Sequence, residues 1–74
     1  MRMMTNEILV NYKKIQNNFI GQCAKNPQFL VQTKTKTEIK TEITEMLEDY
    51  VKLFPEQKKD ILPSNNFKIV LKEQ

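Results

Sequence analysis

The chain has 74 residues, with 12 Lys or Arg against nine Asp or Glu, a formal charge of +3, one cysteine and no histidine. A chain of this length holds one small domain with a marginal core, and the lack of imidazole excludes His-based acid–base chemistry, Ser–His and Cys–His nucleophilic pairs and the commonest transition-metal ligand. One cysteine excludes an internal disulfide and suits a reducing compartment, and since no apolar run reaches the roughly 20 residues of a membrane helix or forms a signal peptide, the chain reads as cytoplasmic with no membrane partner.

Residues 1–6 carry little pattern and read as a loose lead-in. From Glu7 to Ile15, Ile8, Val10 and Tyr12 alternate with Leu9, Asn11 and Lys13, the period-two signature of a half-buried strand. Gln16, Asn17 and Asn18 supply turn chemistry, because Asn tolerates positive φ and bonds to its own backbone. A second strand is expected from Phe19 to about Ala24, with Phe19, Gly21 and Cys23 on one face and Ile20, Gln22 and Ala24 on the other. Residues Lys25 to Gln28 interrupt it, since Pro27 has no N–H for a ladder and Asn-Pro favours a turn. A third short strand then runs from Phe29 to Thr33.

At Thr35 the apolar period changes from two to 3.6. Ile39, Ile43, Met46, Leu47, Tyr50 and Phe54 fall on one helical face, with Lys40, Glu42, Glu45, Glu48, Asp49 and Lys52 left to solvent. Thr35 and Glu38, three positions apart, make a capping box that satisfies backbone N–H groups of the first turn. Pro55 disfavours the helical conformation at Phe54 and ends the helix there. The stretch from Pro55 to Pro63 suits a short helical turn around Ile61 and Leu62. Ser64, Asn65 and Asn66 form a turn, and Phe67 to Lys72 a last strand with Phe67, Ile69 and Leu71 on one face. The order predicts an α+β fold: an antiparallel β-β-β-α-β sheet with one amphipathic helix packed on one face, residues 1–74 forming a single domain.

Charge is unevenly spread along this order. Residues 1–34 hold five cations and one acid, a net +4. The helix from Thr35 to Phe54 holds three lysines and five acids, −2, and the remainder is +1. Glu38, Glu42 and Glu45 share a helical side but lie off the apolar face, so they read as a solvated, i,i+4-paired surface rather than as metal or acid–base carboxylates. A two-metal nuclease site would need carboxylates converging on the sheet, where the first strand offers only Glu7. Cys23 has no histidine to activate it and reads as a small core residue. No catalytic, metal or cofactor residues are expected. Lys13, Lys14, Lys25 and Lys34, with Tyr12, Phe19 and Phe29, could form a basic strand surface with stacking platforms for single-stranded nucleic acid; the competing reading buries the aromatics under the helix and leaves the lysines to solubilise strand edges.

The run from Phe19 through Cys23, Pro27 and Thr35, continued by Glu38, Ile39, Ile43, Leu47 and Tyr50, resembles the core of HicB-like antitoxin domains. There an aromatic-led strand ends near a small or cysteine residue, a loop proline follows four positions later, and Thr or Ser opens an acidic amphipathic helix. The resemblance implies a truncated ribonuclease-H-like β-β-β-α-β unit. It also implies a non-enzymatic protein-binding role in a toxin–antitoxin system, neutralising a small toxin or nuclease. The C-terminal DNA-binding part that such antitoxins usually carry has no counterpart after Lys72. In this reading the acidic helix face, led by Glu42, Glu45, Glu48 and Asp49, meets a basic partner. Two alternatives remain: a nucleic-acid-binding module using Lys13, Lys14, Lys25 and Lys34, and a phage-type inhibitor of a host defence nuclease. A core this small, with strand edges that nothing blocks, also points to a homodimer.

Overall fold

The computed structural model describes residues 6–62 and 66–74. Residues 1–5 of the lead-in, and Pro63, Ser64 and Asn65 before the last strand, lie outside the described residues. The elements are β1 (Glu7–Ile15), β2 (Asn18–Cys23), β3 (Leu30–Thr33), α1 (Lys36–Leu53), a 3-10 turn (Pro55–Gln57), α2 (Lys58–Ile61) and β4 (Lys68–Glu73).

The strand order is β3-β2-β1-β4. β1 with β2 and β2 with β3 are antiparallel pairs, whereas β4 lies parallel to β1, from Glu7 opposite Lys68 to Tyr12 opposite Glu73. The sheet is therefore mixed, which corrects the antiparallel sheet expected from the sequence. The cause is directional. Two reversals leave β3 running the same way as β1, α1 carries the chain back across the sheet, and β4 sets out from the end where β1 began. Such a crossover is what a parallel neighbour requires.

A second correction concerns the helices. The short helical turn expected around Ile61 and Leu62 forms as a four-residue helix, α2, with its C-cap at Leu62, and both residues are buried, so the described residues hold two α-helices rather than one. In the tight β1–β2 connection it is Gln16, not an asparagine, that takes the left-handed conformation, at φ 55°.

The capping box forms as the sequence implies. Thr35 is extended, its hydroxyl oxygen accepts from the Glu38 N–H at 3.2 Å, and Glu38 Oε1 accepts from the Thr35 N–H at 3.2 Å. At the other end Phe54 leaves the helical region with φ −128° and ψ 68°, as a residue before proline tends to. The turn carries Phe54 off the buried stripe and leaves it 40% exposed. The apolar face of α1 therefore ends at Tyr50 and Val51, which corrects its extension to Phe54.

Ile39, Ile43 and Leu47 join Val10, Tyr12, Cys23, Phe29, Val31 and Ile69 in one core between helix and sheet. Full burial of a side chain of this size stabilises by about 1.5–3 kcal/mol. Gly21 lets the layers approach: a Cβ there would stand 2.6 Å from Ile39 Cγ2 and 3.3 Å from Val10 Cγ1. The molecule measures 38 × 33 × 17 Å, the thickness of one helix on one sheet. The other sheet face is uncovered, and there Leu9, Ile15 and Leu30 stand exposed.

Candidate protein-binding groove

The buried stripe of α1 sets how the helix lies, and so which charges face each edge of the sheet. Glu38, Glu42, Glu45 and Asp49 recur at i, i+4, i+7 and i+11 and fall on the flank that overlooks β3. Glu42, Glu45 and Asp49 wall an open hollow of about 420 Å³ whose floor is Phe29, Met46, Tyr50 and Leu53. Through Glu42 it continues into a hollow of about 390 Å³ bordered by Asn18, Gln32, Thr33 and Glu38. The result is a groove between α1 and β3, acidic along the helix and apolar at one end.

Its apolar end is held in place. The Phe29 ring, 3% exposed, meets Tyr50 edge-on with centroids 5.1 Å apart, and Phe54 also packs against Tyr50, with centroids 4.8 Å apart. The Tyr50 hydroxyl donates to Gln57 Oε1 at 2.9 Å, which ties the helix end to the 3-10 turn. Leu53, where this floor opens to solvent, is 74% exposed.

Lys34 borders the acidic row at its foot and Lys40 lies near Glu45, but neither closes to an ion pair with it. Among the described residues the one ion pair is Lys68 with Glu7 at 3.8 Å, on the open sheet face. The expected i,i+4 pairing of the helix acids is absent. Instead Glu38 and Glu42, and Glu45 and Asp49, are like charges at i,i+4, with Glu42 and Glu45 at i,i+3. Each such pair destabilises an exposed helix by about 0.2–0.5 kcal/mol. Glu38 is occupied at the cap, where it also accepts from the Lys34 N–H at 3.2 Å. Glu42, Glu45 and Asp49 are the members left to meet another molecule.

The fourth acid expected to act with them, Glu48, stands on the opposite flank of α1, beside Val51, Lys52, Lys58 and Phe67. The lysines of the nucleic-acid alternative are also divided. Lys13 lies on the open sheet face, in register with Ile20. Lys14 turns to the helix side, its ammonium 6.0 Å from the Phe19 ring centre. Lys34 borders the acidic hollow at the foot of α1, and Lys25 lies beyond the end of β2, beside α2. Tyr12 and Phe29 are buried and Phe19 packs against the core, so among the described residues the open face offers lysines without aromatic rings. The floor residues Phe29, Met46, Tyr50 and Leu53 were not read as a site from the sequence. Only the i, i+4, i+7 acidic spacing hinted at the groove.

Cys23 is 3% exposed, and burial pushes its thiol from 9.0 up to about 11. The native state thus holds the proton more tightly than the unfolded chain. The stability this group contributes is complete below pH 9 and is lost as pH rises toward 11. At neutral pH a shift of this size cuts the thiolate fraction about 100-fold. Cys23 is therefore expected to react with an aromatic disulfide reagent at least about 100-fold more slowly in native protein than after denaturation. Absorbance of the released thiolate measures both rates, and equal rates would contradict the burial.

Among the described residues no group of three or more His, Cys, Asp or Glu side chains could hold a metal ion, and no helix is long and apolar enough to cross a membrane. No family model, curated protein or solved structure matches the chain.

Proposed function

We propose that the chain is a non-enzymatic, HicB-like protein-binding module whose α1–β3 groove takes a basic protein, in the manner of an antitoxin covering the cationic working surface of a small toxin or nuclease. The observation that carries this reading is the acidic row of Glu42, Glu45 and Asp49, which makes no ion pair among the described residues, above the apolar floor of Phe29, Met46, Tyr50 and Leu53. A folded chain with cations to spare leaves these like charges side by side. A cationic partner would relieve their repulsion on binding, and the floor would bury apolar area beneath the ion pairs. The β-β-β-α-β order supports the resemblance, and the net charge of +3 does not oppose it, because association follows the local field of the groove.

The test uses tagged protein as bait in lysate of the native host. Captured proteins are identified by mass spectrometry, and the best-retained basic one is purified and titrated against the wild type and against the Glu42→Lys, Glu45→Lys, Asp49→Lys variant. A loss of at least about tenfold in affinity, worth about 1.4 kcal/mol, is expected for the acidic-row variant. Little change is expected for Lys13→Glu with Lys14→Glu. The affinity of the wild type should also fall with salt, as the Debye length shrinks to about 8 Å at physiological ionic strength. The reading fails if the acidic-row variant binds as tightly as the wild type. It fails equally if the wild type instead binds a mixed single-stranded oligonucleotide with a salt-dependent affinity that only the lysine reversals remove.

A further inference from the structure

The two edges of the sheet differ in what they offer. In the β1–β4 ladder the Lys68 N–H donates to the Asn6 carbonyl at 2.9 Å and the Gln74 N–H to the Tyr12 carbonyl at 2.8 Å. Backbone groups alternate sides along a strand, so Ile69, Leu71 and Glu73 direct their N–H and C=O groups away from the sheet. Among the described residues no strand pairs with them. β4 has six residues, with neither proline nor break in register. β3 has four. Because the Cys23 N–H donates to the Phe29 carbonyl at 3.0 Å, only Leu30 and Gln32 of β3 look outward. Natural sheets protect an edge by shortening it. That device is present at β3 and missing at β4.

We propose that β4 is the surface through which two copies of this chain pair, strand beside antiparallel strand, into one continuous sheet. The occupant follows from charge. A two-fold contact brings a patch against itself, so the patch must match itself. The β3 flank is lined by Glu42, Glu45 and Asp49 and repels its own copy. Among the described residues the open sheet face carries Lys13, Lys68 and Lys72 against Glu7 and does the same. The β4 flank sets both signs side by side, with Glu48 among Lys52 and Lys58 around Val51 and Phe67, whereas on the β3 flank Lys34 stands against Glu38, Glu42, Glu45 and Asp49. The same placement accounts for Glu48 standing apart from the other helix acids.

Symmetry then selects the register. A two-fold axis normal to the sheet keeps both α1 helices on one side and pairs positions of like parity. Centred on Leu71, it sets Ile69 opposite the second copy's Glu73 and Val70 opposite its Lys72. All three outward-facing residues then find a partner. Centred on Val70, it would set Lys68 against Lys72, a like-charge pair that destabilises neighbouring strands, and would leave Glu73 without a strand partner. The Leu71-centred dimer keeps the two α1–β3 grooves on its outer flanks, so it neither needs nor blocks the partner proposed above.

Light scattering on the full chain, from low to high micromolar concentration, is expected to show the mass rising from 8.8 kDa toward twice that value. Over the same range, amide exchange at Ile69, Leu71 and Glu73 should slow while Leu30 and Gln32 stay fast. Leu71→Lys should remain monomeric with an unchanged far-UV spectrum. If that variant unfolds, Glu73→Pro removes one outward N–H at an exposed position where proline is compatible with an edge strand, and it should weaken the dimer on its own. Leu30→Lys, on the other edge, should dimerise as the wild type does. A mass of 8.8 kDa at every concentration, a dimer that survives every folded β4-edge variant, or slowing at Leu30 and Gln32 in place of β4 would each overturn the proposal.

Discussion

Leu47→Ala is expected to lower the stability of the fold by about 2–5 kcal/mol, the range for truncating a buried leucine in a core that cannot collapse onto the space left. Leu47 is 1% exposed and lies in the middle of the stripe that seats α1 on the sheet. The site has little freedom to relax, because the flanking core residues Ile43 and Ile39 are themselves at 0% exposure. Thr35→Ala provides the scale. It removes one cap acceptor at an exposed helix start and is expected to cost about 1 kcal/mol. Urea denaturation followed by far-UV dichroism measures both, with a shift in midpoint at constant slope marking a pure stability change. If Leu47→Ala proves no worse than Thr35→Ala, the helix is not held by the face that buries Ile39, Ile43 and Leu47.

Gly21→Ala is expected to destabilise by about 1–3 kcal/mol, the usual cost of forcing an extra methyl into a packed contact. Two effects compete here. Replacing glycine restricts the unfolded chain, which favours folding by about 0.4–1 kcal/mol where the native backbone accepts alanine. The strand conformation of Gly21 does accept it, since its φ is not positive. Against that, the new Cβ would lie 2.6 Å from Ile39 Cγ2. That methyl sits directly on a β-branched carbon with one strongly preferred rotamer in a helix, so it cannot swing aside as the tip of a long side chain would. The overlap wins. Moving the branch one carbon outward with Ile39→Leu removes Cγ2 and is expected to recover part of the loss, seen as a favourable coupling in the double-mutant cycle. A Gly21→Ala variant as stable as the wild type would mean that the layers have room to part.

The outward charge of +3 conceals a layered distribution. The β3 flank of α1 is acidic, the open sheet face is cationic, and the β4 flank carries both signs. Each surface suits a different kind of contact. Composition averages them away, because it does not record which side chains the fold sets side by side.

What the sequence determined by itself was where the four strands and the long helix lie and the period of each. Alternation sorted Val10 with Tyr12, Gly21 with Cys23, and Ile69 with Leu71 onto one face of their strands, and the fold turned those faces to the core. The capping box at Thr35 and Glu38 marked where α1 begins, and Pro55 where it must stop. These signals act between residues within a few positions of one another, so they survive without knowledge of the rest of the chain. The exceptions were also local in kind. The turn at Phe54 rotated a nominally apolar position out of the stripe, and the helical turn marked at Ile61 and Leu62 closed into a second helix. The tertiary structure alone decided the direction of β4, which follows from where α1 delivers the chain. It also decided which flank of α1 overlooks which edge. Helical spacing left Glu48 grouped with Glu42, Glu45 and Asp49, because it follows Glu45 at i,i+3; only the docking of the helix set Phe29 beneath the acidic row and Phe67 beside Glu48. Those pairings join residues far apart in the chain, and their partners are chosen by the packing of the two layers.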